Sequence, residues 1–234
     1  VIVLGIETSG PRGGVALQDA QGRVTEKRFD TQRSLGAELA PAIQALLDAA
    51  GLGPDNPPDL VAVDLGPGSY TGLRVGLAAG KGLAFAWGRP LVGVHLVDAL
   101  VRQAPPARKV ICALDAQRGE VWHCVFERKP GEAPSLVFEP RIAELDRLAQ
   151  LLDAEADVCV IGDAATKVEA AFPANSVRRA GEDLAWPTAR LVAELGRERH
   201  LAGLRDDAIA LSPLYLRANE AEERRRKRER PGAR

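Results

Sequence analysis

The chain has 234 residues, 46% hydrophobic and 27% charged, with a formal net charge of −1. That length suits one large domain or two smaller ones, and the composition excludes wholesale disorder. Three cysteines without a C-x-x-C spacing argue against a disulfide framework or zinc knuckle, and 4% aromatic residues argue against a base-stacking surface.

Val1–Thr8 is a continuous apolar run, predicted as a strand buried on both faces. After a Gly10–Gly14 turn, Val15–Gln18 and Arg23–Phe29 read as two more strands. Leu35, Leu39, Ile43, Leu46 and Leu47 then share one helical face, with Pro41 expected to kink or restart the helix. Leu60–Leu65 is a buried strand, Thr71–Trp87 a second helix and Leu91–Val94 a short strand leading into a helix that ends near Gln103. Past a hinge at Pro105-Pro106 the pattern restarts. Val110–Leu114 is a buried strand ending in Asp115, Val121–Glu127 and Leu136–Glu139 are strands, and Ile142–Leu152 is a helix. Val158–Ile161 is a strand, followed by helices over Ala164–Phe172 and Thr188–His200. Strand-strand-strand-helix-strand-helix thus occurs twice, each copy opening on an apolar strand with an acid at its end, Glu7 or Asp115. Two mixed sheets covered by helices are implied, as in the duplicated actin-like ATPase (ASKHA, ribonuclease H-like) fold. The expected divisions are 1–104, 105–216 and a basic, disordered tail at 217–234. That tail begins at Arg217, contains RRRKRER at Arg224–Arg230, and carries +4, which leaves −5 on the body.

The Gly66–Arg74 stretch GPGSYTGLR follows a strand and opens a helix, yet it has neither the Walker A ending nor the dinucleotide glycine spacing. It reads as a tight turn with Ser69 or Thr71 as cap. Gly72, Gly76 and Gly80 recur every fourth residue and form one smooth stripe, against which another backbone, of this chain or a partner, can come close. His95, His123 and His200 show no metal-ligand spacing, and no G-x-S-x-G elbow is present, so neither a metal site nor a hydrolase nucleophile is expected. No apolar run reaches the roughly 18 residues of a membrane span, and Val1–Ile6 lacks the basic start of a signal peptide. A cytoplasmic protein with no membrane contact is expected.

Leu4–Ser9 (LGIETS), GPGSYTGLRVG at Gly66–Gly76, LVGV at Leu91–Val94, LDAQRGEVW at Leu114–Trp122 and PLYLR at Pro213–Arg217 together resemble the TsaB (YeaZ) family. The resemblance reaches to about Glu223, with Glu7 where many relatives carry Asp. It implies an actin-like fold and a non-catalytic scaffold subunit for adding threonylcarbamoyl to the adenosine next to the anticodon of tRNA. It further implies a TsaD-like catalytic paralogue as partner, a TsaE-like ATPase docking on the pair, tRNA reached through the complex, and a homodimer when the chain is isolated. The older glycoprotease-like description finds no support in these residues. On this reading Leu35, Leu39, Ile43, Leu46, Leu47, Gly72, Leu73, Gly76, Gly80 and Leu83 face the partner. Glu7, Thr8, Ser9, Asp115 and Arg118 line a vestigial nucleotide cleft. No catalytic or metal-binding residue is expected, and no tightly bound cofactor; weak ATP or ADP binding with Mg²⁺ in the complex stays open. The alternative is a stand-alone ASKHA-type phosphotransferase or ATPase using Glu7 and Asp115.

Overall fold

In the computed structural model, which describes residues 1–116, 119–143, 157–173 and 176–215, the first strand β1 (Val3–Glu7) is buried along its whole length. It is the centre of a five-stranded sheet with β2 (Arg12–Gln18), β3 (Val24–Asp30), β4 (Leu60–Asp64) and β5 (Leu91–Val94), in the order β3-β2-β1-β4-β5. β1 runs antiparallel to β2 and parallel to β4. The second sheet has β6 (Lys109–Asp115), β7 (Val121–Glu127), β8 (Ser135–Ala143), β9 (Val158–Ile161) and β10 (Arg178–Arg179) in the order β10-β9-β6-β7-β8. Read from its other edge this is the same topology, with β6 antiparallel to β7 and parallel to β9. The duplicated actin-like architecture expected from the sequence is therefore the one observed.

Alternation along the strands explains the layers. Leu4 and Ile6 point to the face covered by α1 (Thr31–Ala49) and α2 (Tyr70–Trp87), while Val3 points to the face covered by α5 (Ala189–Leu201). α5 lies so close that a Cβ at Gly5 would stand 2.6 Å from the Ala189 carbonyl oxygen. In the second sheet Val110, Cys112 and Leu114 pack under α3 (Leu96–Gln103), and Ile111 and Ala113 pack on the other face with α4 (Ala165–Ala171). The helix after the fifth strand of each half is thus exchanged: α3 covers the second sheet and α5 the first. Among the described residues no helix is long and apolar enough to cross a membrane.

Three sequence expectations change. α1 does not restart at Pro41 but continues through it; Pro41 faces solvent, where water can satisfy the carbonyl that loses its partner. Ile142 belongs to β8, opposite Trp122, and not to a helix. Ala143 also belongs to β8, and residues 144–152 of that expected helix, Arg118, and the tail at 217–234 lie outside the described residues. The third change concerns the glycine stripe. Gly72, Gly76, Gly80 and Leu73 face the chain's own sheet. A Cβ on Gly72 would fall on the Thr8 carbonyl oxygen and one on Gly76 on the Thr8 hydroxyl; at Gly80 it would pack 3.5 Å from Val63 and Leu91. Leu35 and Leu46 are likewise buried in the first core. Within α1 and α2 the glycines with open space above them are Gly36 and Gly82.

Gly72→Ala should therefore destabilise the isolated chain by about 1–3 kcal/mol through overpacking against backbone. Gly82→Ala, on the exposed side of the same helix, should stabilise it by up to ~1 kcal/mol. Thermal melting of the two variants checks both signs, and equal shifts would mean that the helix face is assigned wrongly.

Candidate functional site

The turn after β1 is built around Glu7. Its Oε1 accepts hydrogen bonds from the Ser9 backbone N–H (2.7 Å), the Ser9 hydroxyl (2.6 Å) and the Gly10 N–H (3.2 Å). Thr8 donates its hydroxyl to the Gly72 carbonyl at 2.8 Å, and Ser69 N–H donates to the Ser9 carbonyl at 2.8 Å, so the β1–β2 turn is tied to the start of α2. Ser69 is the helix cap, accepting from Gly72 N–H at 3.2 Å. Asp64, at the end of the neighbouring strand β4, accepts from Gly66 N–H at 2.9 Å. Glu7 and Asp64 are both buried, and Glu7 Oε2 and Asp64 Oδ2 lack a hydrogen-bond partner among the described residues. Burial, then the Asp64 charge, pushes Glu7 up to about 8; burial pushes Asp64 up to about 6. Of the two, Glu7 is the carboxyl whose protonated form is the more favoured.

In an actin-like fold this turn would meet nucleotide phosphates. Here the space beside Glu7 is a cavity of about 30 Å³, closed by Trp186, Pro187 and Thr188 as the chain enters α5. A Cβ on Gly10 would already stand 2.8 Å from the Trp186 ring. Such a volume holds a water or two and not a nucleotide.

The second half repeats the pattern with different neighbours. Asp115 ends β6, and its N–H donates to Asp163, just beyond β9, at 2.9 Å. Burial raises the Asp163 pKa, against the pull of that N–H. Asp115 is partly exposed and pairs with Lys167 at 2.8 Å. The carboxylate beside Glu7 is therefore Asp64, and the one beside Asp115 is Asp163. Sequence reasoning picked one member of each pair and missed the other, although both missed acids close an apolar run (LVAVD, VCVIGD).

A different surface lies between α1 and α2. Leu39, Ile43 and Leu47 on one helix and Val75, Leu83 and Trp87 on the other line an apolar groove of about 470 Å³, with Gly36, Ala40, Ala79 and Gly82 along it. Phe85 protrudes from α2 at 91% exposure. Of the residues expected to face a partner, Leu39, Ile43, Leu47 and Leu83 line this groove. At the N-terminal end of α2, Arg74 lies 4.0 Å above the Tyr70 ring and donates to the Tyr215 hydroxyl at 2.9 Å. The late PLY segment and the GPGSYTGLR segment thereby meet.

The family model described as "TsaD: tRNA N6-adenosine threonylcarbamoyltransferase" matches residues 29–224. A Haemophilus influenzae protein named tRNA threonylcarbamoyladenosine biosynthesis protein TsaB is 28% identical over 230 residues, covering 92% of this chain and 93% of that protein. YeaZ from Pseudomonas aeruginosa superposes with a TM-score of 0.75 at 29% identity, over 92% of this chain and 99% of that one. A tRNA N6-adenosine threonylcarbamoyltransferase of Anaeromyxobacter dehalogenans is 40% identical over 126 residues, 45% of this chain and 37% of that protein.

Because the folded pKa of Glu7 lies above its ordinary value of 4.5, the folded chain retains a proton that the unfolded chain releases. Its contribution to stability is complete below about pH 4.5 and is lost as pH rises through about 8. Glu7→Gln should flatten that decline and raise the Tm at pH 8 by a few degrees, at roughly 2–4 °C per kcal/mol for a chain of this size. Melting curves from pH 5 to 9 give the readout. A wild-type Tm that does not fall across this range would mean that Glu7 is ionised in the fold.

Proposed function

We propose that this chain, which belongs to the TsaD family of tRNA N6-adenosine threonylcarbamoyltransferases, is the non-catalytic accessory subunit for threonylcarbamoyladenosine synthesis on tRNA. Its full-length similarity to proteins named TsaB and YeaZ supports the pathway. One observation carries the non-catalytic part: the 30 Å³ left beside Glu7 has no room for a nucleotide. Burial raises Glu7 well above the ordinary carboxyl range, and Asp115 is engaged by Lys167. These features speak against a stand-alone phosphotransferase.

The contribution of the chain on this reading is a surface. α1 and α2 present their groove to a homologous, TsaD-like catalytic subunit, whose own helix pair completes a four-helix contact. Gly36 and Gly82 let the facing backbones approach, Phe85 enters the partner, and the buried leucines behind hold the two helices in place. With the partner absent, a second copy covers the same apolar face, giving a homodimer. An ATPase of the TsaE kind docks on the assembled pair, and tRNA is bound by the assembly.

Phe85→Asp should weaken pairing with the catalytic subunit at least tenfold, since burying a Phe side chain contributes about 1.5–3 kcal/mol. The Tm of the isolated chain should not change, because Phe85 makes almost no contact within it. Calorimetry of the pair checks this; unaltered affinity would move the interface away from α2. Titration of the isolated chain with Mg-ATP should give a Kd no tighter than about 1 mM. Saturation in the micromolar range, with turnover, would return the phosphotransferase reading.

A further inference from the structure

We infer that the end of the second sheet where β6 begins and β7 ends is a phosphate-backbone surface for tRNA. An open depression of about 830 Å³ lies there, lined by Arg102, Arg108, Arg128 and Lys129 with a single carboxylate, Glu127. Arg108 and Lys129 share that carboxylate at 3.4 and 3.7 Å and keep their own side chains mostly exposed, at 69% and 56%. Arg102 reaches Glu198 at 3.0 Å, a pair that is itself more than half exposed. Arg128 has a different role: it donates to the carbonyls of Val101, Ala104 and Pro105, where α3 ends. Its charge therefore meets carbonyl dipoles and holds the floor of the depression in shape. Beyond Pro106, Arg178 donates to the Pro106 carbonyl at 2.7 Å and so continues the cationic edge, paired with Asp157.

The chemistry of this lining selects a polyanion. The lining carries four cations and one carboxylate, with Glu198 beside it on Arg102, on a body whose net charge outside the tail is −5, so the excess of positive charge is local and not a property of the whole protein. Guanidinium forks match phosphate oxygens in pairs. The apolar part of the lining is Ala104, Pro106, Ala107 and Pro130, which offers no deep socket for an anchoring side chain of a peptide. No aromatic ring lines it, so binding would follow backbone charge and shape without reading bases. An open depression of this size also exceeds what a single free phosphate occupies. The inference rests on the functional reading above, since that reading supplies an RNA.

The test uses the chain assembled with its catalytic partner and an unmodified tRNA transcript. R108E/K129E is compared with R23E/K27E, which makes the same charge change on the β2–β3 hairpin. The expected result is a loss of at least tenfold in tRNA affinity for R108E/K129E alone. The slope of log K against log salt should also shrink by about 1.5, as two lost phosphate contacts require. Unchanged affinity and slope in an assembled complex would overturn this inference and leave the functional reading standing. Failure of the wild-type chain to assemble would sink the functional reading instead, and the same salt titration on the isolated chain then decides the surface. Inorganic phosphate competing as well as tRNA at equal phosphate concentration would make this a small-anion site. Loss of polyglutamate binding with tRNA binding unaltered would make it a protein-docking site. Either result would overturn the proposal.

Discussion

The rest of the molecule depends on how closely α2 is pressed onto the end of β1. Thr8 donates its hydroxyl to Gly72, and the absence of a side chain at Gly72 and Gly76 is what lets the helix come that near. An interior glycine costs up to ~1 kcal/mol of helix stability, so the stripe is a local weakness offset by packing and hydrogen bonding that no larger residue permits. That single close approach sets the position of Ser9 over Gly68, of the Ser69 cap, and of Arg74 between Tyr70 and Tyr215. It also decides which side of α2 is left outside, and therefore which residues can meet another protein.

The two halves show how one topology can carry unlike chemistry. Each has an acid at or just beyond the end of its first and fourth strands. In the second half a lysine neutralises the pair at the surface. In the first half Glu7 Oε2 and Asp64 Oδ2 lack a hydrogen-bond partner among the described residues, and burial raises the pKa of both carboxyls, Glu7 the more. A carboxyl in that state anchors a turn well, since it still accepts three hydrogen bonds, but it is a poor ligand for a metal-bound phosphate. Trp186 closes over Gly10, so the β1–β2 turn is packed against the chain as it enters α5.

Much of this was legible in the sequence because buried strands write themselves as apolar runs: Leu91–Val94, Val121–Glu127 and Val158–Ile161 are where the periodicity puts them. The duplicated element order likewise gave the two-sheet architecture. Periodicity, however, says which residues share a face and not where that face points. Gly72, Gly76 and Gly80 align equally well for an inward or an outward stripe. The clue lay in Leu73 and Leu77, which share the inward side with the stripe. Asp64 was hidden for another reason: a strand-end acid becomes unusual only when a second acid is brought beside it, and that adjacency is made by a crossover of more than fifty residues.

The exchange of α3 and α5 has a consequence for how the chain is born. Residues 1–94 contain every strand of the first sheet, yet Val3, Ala62 and Val92 find their cover only in Ala189, Val192 and Ala193. During synthesis one face of that sheet must therefore wait, bare and apolar, until a helix encoded some hundred residues later leaves the ribosome. Contacts of such sequence separation form slowly. The nascent chain in that interval is a natural client for a chaperone, and an early stop before α5 yields an aggregation-prone fragment and not a working half.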